Sequence, residues 1–204
     1  MWGVSTPSSD RPADRAPNLN IANVLTVLRI VLVPVFCVLF FAHGAQDPWW
    51  RVGAFVAFAV AMATDWVDGY LARKHSLVTD FGKLADPIAD KALMGAAMIS
   101  LSLVGELYWW VTVVVLVREI GITVWRLLVV DHVVAASPGG KLKTVTQSVG
   151  VGMLVIPLPH WFWPLEWLVM GVAVVLTVYT GVDYLLKARA AARVPADGGS
   201  GATR

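Results

Sequence analysis

Asp65, Asp68, Asp86 and Asp90 stand inside one 26-residue stretch, DWVDGYLARKHSLVTDFGKLADPIAD, whose first pair closes an apolar segment and whose second pair opens the next. Residues three and four apart share a helix face, so Asp65 with Asp68 and Asp86 with Asp90 converge wherever the two helix ends are neighbours. Each carboxylate costs roughly 2.5–3.5 kcal/mol at hydrocarbon depth, which puts the four at a membrane interface or around cations. Their mutual repulsion argues for bound metal. Oxygen-only ligands select hard ions, Mg2+ or Mn2+, and such ions commonly hold substrate phosphates as well. For any single aspartate the plainer alternative is a helix cap or a solvated charge; four at this spacing make a poor set of caps.

The elements that must position these groups are membrane helices. With 57% hydrophobic and 15% charged residues in 204, and a mean hydropathy of +0.68, the chain is too apolar for an ordinary soluble domain. A net charge of +2 without a basic run gives nucleic acid no footprint. The single cysteine, Cys37, excludes an intrachain disulfide and a cysteine metal site. Residues 1–19, rich in Pro, Ser, Asp and Arg, lack the apolar core of a secretory signal and read as a flexible tail, as do residues 191–204. Residues 20–190 then form one membrane domain.

A span needs about 20 predominantly apolar residues, and hydropathy gives six, at roughly 21–42, 50–72, 87–105, 108–130, 143–159 and 163–186. The fold class expected is therefore all-α, a polytopic bundle of six transmembrane helices. Arg11, Arg15, Lys74, Lys83, Lys141, Lys143, Lys187, Arg189 and Arg193 fall on one side, which the positive-inside rule makes cytoplasmic. Both termini and the aspartates lie on that side. The opposite loops carry Arg51, Glu106 and Glu166 together with Trp49, Trp50, Trp109, Trp110, Trp161, Trp163 and Trp167, the composition of an interfacial aromatic belt. His75, His132 and His160 have no matched partners at metal spacing, and Asp183 reads as structural.

Written out, the stretch places Asp65, Asp68, Gly69, Ala72, Arg73, Gly82, Asp86 and Asp90 at the spacing D-x2-D-G-x2-A-R-x8-G-x3-D-x3-D. This resembles the complete signature of the CDP-alcohol phosphotransferases, and eight specified positions make the pattern highly specific. The resemblance implies that Asp65, Asp68, Asp86 and Asp90 hold two divalent cations against the diphosphate of a CDP-lipid, with Asp90 also the general base. Two such ions sit about 3.5–4 Å apart and stabilise attacking and leaving oxygens together. Gly69 and Ala72 leave room for nucleotide and helix contacts, and Arg73 offers a planar fork for phosphate oxygens; each also has an ordinary reading, as small-residue packing or a positive-inside anchor. Asn23, Thr26 and Arg29 form a polar stripe on the first helix that faces either the nucleotide or the cytoplasmic interface.

The signature leaves the acceptor alcohol open. Three further segments, NLNIANVLTVLRIVLVPVF, VREIGITVWRLLV and VVAASPGGKLKTVTQ, resemble the branch of the family formed by the bacterial phosphatidylglycerophosphate synthases, and the likeness then covers roughly residues 18–187. It implies transfer of the phosphatidyl group from CDP-diacylglycerol to glycerol 3-phosphate at the plasma membrane, and a homodimer, for which the sequence itself offers only the small residues Gly95, Ala96 and Ala97. A phosphorylated acceptor needs cations beyond the metals, and Arg118, Arg126, Lys141 and Lys143 are the candidates. Against this, Arg118 or Arg126 can pair with Glu119 or Asp131 as a structural ion pair, and the lysines can be ordinary cytoplasmic loop charges. The rival acceptors are phosphatidylglycerol, giving a cardiolipin synthase, and inositol phosphate. A transporter is disfavoured because its charges would be spread through the membrane depth.

Overall fold

The computed structural model describes residues 21–75, 80–129 and 138–192, and side chains over 24–67, 88–124, 140 and 142–186. Among the described residues all regular structure is helical: α1 (Ile21–Phe41), α2 (Pro48–His75), α3 (Asp80–Leu103), α4 (Trp109–Val129), α5 (Pro138–Val155) and α6 (Trp163–Ala192), with 3-10 turns at Ala42–Ala45 and His160–Phe162. Each of the six apolar segments coincides with one helix. The expected N-terminal tail lies outside the described residues, and so does the C-terminal one from residue 193, α6 running on to Ala192.

A helix is the form a single apolar segment takes in hydrocarbon, which offers backbone N–H and C=O groups no partner, because only a helix satisfies them within the segment. Val24–Ala45, Pro48–Val67 and His160–Leu186 are long and apolar enough to cross a membrane. α1 continues through Pro34, a residue that membrane helices tolerate where neighbours resatisfy the freed carbonyl. Pro157 and Pro159 stop α5 at Val155, as the sequence suggests.

The polarity of the bundle is that of a membrane protein. Val38, Val117, Leu168 and Val175 are more than 60% exposed, whereas Thr26, Arg29, Arg51, Lys143 and Gln147 are buried. Apolar side chains thus cover the outside and polar ones are gathered within. The core lies where α1 packs on α2 and α3; Phe36 stacks on Phe40 at 5.6 Å between ring centres and meets Phe58 at 6.2 Å, with Leu93, Met98 and Leu101 fully buried beside them. At Gly150 a Cβ would meet the backbone of Met170 at 3.5 Å, and this missing side chain lets α5 lie close against α6.

At the end of the bundle far from the aspartates, the sequence had Arg51 as a loop charge. It is instead 6% exposed and staples four segments. Its Nη1 and Nη2 donate to the two carboxylate oxygens of Glu106 at 2.6 and 2.7 Å. Nε donates to the Val155 carbonyl at 2.9 Å and Nη2 to that of Leu154 at 2.6 Å, capping α5. Nη1 also reaches the Ala45 carbonyl at 3.4 Å, in a turn where His43, Gly44 and Ala45 all have positive φ. At 1.5 Å per residue, Arg51 lies about 21 Å along α2 from Asp65. A cavity of about 590 Å³ opens at this remote end beside Arg51 and Glu166.

Candidate active site

Asp65 lies on the second half of α2, facing α1. Its Oδ1 is 3.0 Å from Nη1 of Arg29, whose side chain is 1% exposed while that of Asp65 is 43% exposed. One turn before Arg29, Thr26 is fully buried. The polar stripe of α1 therefore points inward at Thr26 and Arg29, toward the helix that carries the first aspartate; the side chain of Asn23 lies outside the described residues.

Asp90 stands on the first half of α3, partly exposed, and repels Asp65 across the gap between the two helices. Beside it Lys91 places Nζ 3.9 Å from Asp90 Oδ2 and 2.9 Å from Glu119 Oε2. Glu119, on α4, is the hub of this end of the bundle. It accepts from Lys91, from Lys143 of α5, and from Arg118 Nη1 at 2.9 Å. Arg118 then extends to α6, where Nη2 donates to Thr180 Oγ1 at 2.8 Å. Its stem passes Gly181 so closely that a Cβ there would lie 3.3 Å from Arg118 Cγ.

Glu119 and Asp90 balance two of the three cations Lys91, Arg118 and Lys143, so among the described residues this cluster keeps a surplus of one positive charge. That surplus faces a cavity of about 110 Å³ whose walls include Asp90, Lys91, Glu119, Lys143, Thr144 and Gln147. A potential proton acceptor and two ammonium groups thus border one small volume. In a desolvated setting such an arrangement suits a hydroxyl compound that also carries an anionic group.

Of the acceptor cations read from the sequence, Lys143 lines the cavity and Arg118 is held by Glu119, the ion pair recognised as the alternative for it. Arg126 and Lys141 lie on α4 and α5, with side chains outside the described residues. The same holds for Asp68, Gly69, Ala72 and Arg73 on α2 and for Asp86 on α3. Sequence reasoning missed Lys91 and Gln147 as cavity residues. Lys91 directly follows Asp90, and Gln147 follows Lys143 by one helical turn, so the spacing rule that found the aspartates also reaches Gln147.

Residues 19–179 match the family described as CDP-alcohol phosphatidyltransferase, and the chain belongs to that family. A Mycobacterium tuberculosis protein named "Probable phosphatidylglycerophosphate synthase" is 49% identical over 183 residues, 89% of this chain and 88% of the relative. Proteins named CDP-diacylglycerol–glycerol-3-phosphate 3-phosphatidyltransferase are each 37% identical: that of Bacillus subtilis over 82% of this chain and 94% of its own length, and that of Escherichia coli over 84% and 96%.

The donor set is compatible with hard divalent cations. Asp65 and Asp90 supply only oxygen and repel one another, and among the described residues neither histidine nor cysteine stands in the cavity walls. Among the described residues no three metal-ligating side chains are gathered; the set of four aspartates includes Asp68 and Asp86, whose side chains lie outside them.

Proposed function

We propose that the chain is a phosphatidylglycerophosphate synthase, transferring the phosphatidyl group of CDP-diacylglycerol to glycerol 3-phosphate and releasing CMP. The observation that carries this reading is the small cavity in which the carboxylate of Asp90 and the ammonium groups of Lys91 and Lys143 face the same space. The names of the relatives agree with it.

In the reaction a hydroxyl oxygen of the acceptor attacks the β-phosphorus of the CDP-lipid, the bond from that phosphorus to the CMP oxygen breaks, and the hydroxyl proton passes to Asp90. Asp65, Asp68, Asp86 and Asp90 would hold two divalent cations, Mg2+ or Mn2+, which supply charge neutralisation to the diphosphate. Arg29 pairs with Asp65 and turns its carboxylate into a fixed orientation. Gly69, Ala72 and Arg73 border the nucleotide with Asn23 and Thr26, while Lys143, Arg118, Arg126 and Lys141 attract the acceptor phosphate. Such chemistry depends on positioning and on preorganised charge more than on covalent participation by the protein.

The same reading makes residues 20–190 one catalytic membrane domain with all six helices crossing the bilayer. The aspartates and both termini face the cytoplasm, where water-soluble glycerol phosphate is at hand, and two copies associate as a homodimer. Basic residues gathered on one side support the orientation.

The deciding experiment supplies purified protein with CDP-diacylglycerol, a divalent cation and one acceptor at a time, and identifies products by mass. Phosphatidylglycerophosphate from glycerol 3-phosphate is the expected result. Product only from phosphatidylglycerol, or only from inositol phosphate, would move the chain to another branch of the family.

A further inference from the structure

We infer that Gln147 is a specificity-determining residue that reads the hydroxyl of a phosphorylated polyol acceptor that does not react. This deepens the function proposed above and rests on it.

Gln147 is 3% exposed, yet its Oε1 is buried without a hydrogen-bond partner. Its Nε2 meets only the thioether of Met98, at 4.0 Å, a weak acceptor at long range. Buried amides are almost always paired, because the desolvation lost on burial has to be offset. An unpaired amide in a cavity wall therefore marks the place of a polar ligand group. Asp90 and Lys143 line the same cavity.

The chemistry of the three groups divides the cavity. Lys91 and Lys143 attract an anion, and Asp90 accepts a proton from a reacting hydroxyl. Gln147 is neutral and can both donate and accept, which suits a hydroxyl that keeps its proton. It stands one turn after Lys143 on α5, a spacing that leaves roughly 5–6 Å between Cβ atoms on one helix face. Two side chains on one helix face, both lining the same cavity, can hold an anionic phosphate and a hydroxyl of one short molecule. Glycerol 3-phosphate carries one phosphate, one reacting primary hydroxyl and one idle secondary hydroxyl, and so fills all three positions. The methylenes then lie against Met94, Leu116 and Ile120, which form the apolar side of the cavity.

The test compares glycerol 3-phosphate with 3-hydroxypropyl phosphate, which lacks only the secondary hydroxyl, using full-length protein and CDP-diacylglycerol. Sites built to bond a hydroxyl reject the analogue lacking it strongly, and here kcat/KM for the deoxy acceptor is expected to be about 10–100-fold lower. In Gln147→Met, nearly isosteric and apolar, glycerol 3-phosphate should fall to the level of the deoxy acceptor and the ratio should approach one, with KM for CDP-diacylglycerol unchanged. The wild-type comparison stands without any variant, so a misfolded Gln147→Met does not remove the test. Equal use of both acceptors by the wild type, or discrimination kept in a folded Gln147→Met, overturns the inference alone. No product from glycerol 3-phosphate in the wild type overturns the underlying reading and the inference together.

Discussion

Arg29 of α1 and Asp65 of α2 meet at 3.0 Å, one side chain fully buried and the other open on its far side. The guanidinium holds one carboxylate oxygen of a group that is otherwise 43% exposed. Breaking a wholly buried pair by removing one partner costs about 3–5 kcal/mol. The half-exposed Asp65 recovers part of that from water, so Arg29→Met should lower stability by about 2 kcal/mol. Thermal unfolding in detergent measures it, and Arg29→Lys should restore stability better than activity, because a lysine replaces the charge and not the fork. Equal activity in Arg29→Lys and wild type would show that orientation of Asp65 is immaterial.

Asp90→Asn keeps the shape of the side chain and removes its basicity. General-base catalysis contributes typically 10²–10⁴-fold, so CMP release should fall by about that factor with the helical content unchanged. CMP release at the wild-type rate would exclude Asp90 as the proton acceptor.

Removing divalent cations with a chelator should abolish turnover, and Mg2+ or Mn2+ should restore it, since oxygen-only donors favour hard ions. In Asp65→Asn and Asp68→Asn the concentration of cation giving half-maximal activity should rise several-fold. Activity that survives exhaustive chelation would count against a metal role for all four aspartates.

Glu119 gathers Lys91, Arg118 and Lys143, and its neutralisation leaves three cations repelling one another. Glu119→Gln should cost about 3 kcal/mol, the lower end for breaking a buried pair. Its kinetic mark should be selective: KM for glycerol 3-phosphate changes at least fivefold while KM for CDP-diacylglycerol moves little, because both lysines line the cavity proposed for the acceptor. Parallel changes in both constants would point to a general loss of structure.

Arg51 provides the contrast. Arg51→Met removes the cap on α5 and the bond to Glu106 some 21 Å along α2 from Asp65. Stability should drop by about 3 kcal/mol, whereas both KM values measured below the unfolding temperature should stay within twofold of wild type.

Much of this organisation is legible in the sequence, for reasons of range. Six apolar segments announce six helices by their length and continuity, and the pairs Asp65/Asp68 and Asp86/Asp90 stand out because each pair lies within about one turn. Arg118 and Glu119 are adjacent, so their pairing is also visible. Partners far apart in the chain are not: Lys91 finds Glu119 across 28 residues, and Arg51 finds Glu106 across 55. A lysine beside a known motif and an arginine at a helix start look like solvated charges until tertiary packing brings their carboxylates to them. Gln147 is hidden for a different reason. It looks like one polar residue among Thr144, Thr146 and Ser148, but those hydroxyls bond backward to carbonyls of their own helix while its amide has no such outlet.

Gly181 gives an empty space consequences beyond its own helix. A methyl group there would sit 3.3 Å from the stem of Arg118, which must give by a few tenths of an ångström, and Arg118 holds Glu119, which in turn holds two lysines at the cavity wall. One methyl group on α6 would thus disturb the charges that line the cavity proposed for the acceptor. Gly181→Ala, read through the acceptor KM, would measure how tightly the buried seam between α6 and α4 and the chemistry are geared together.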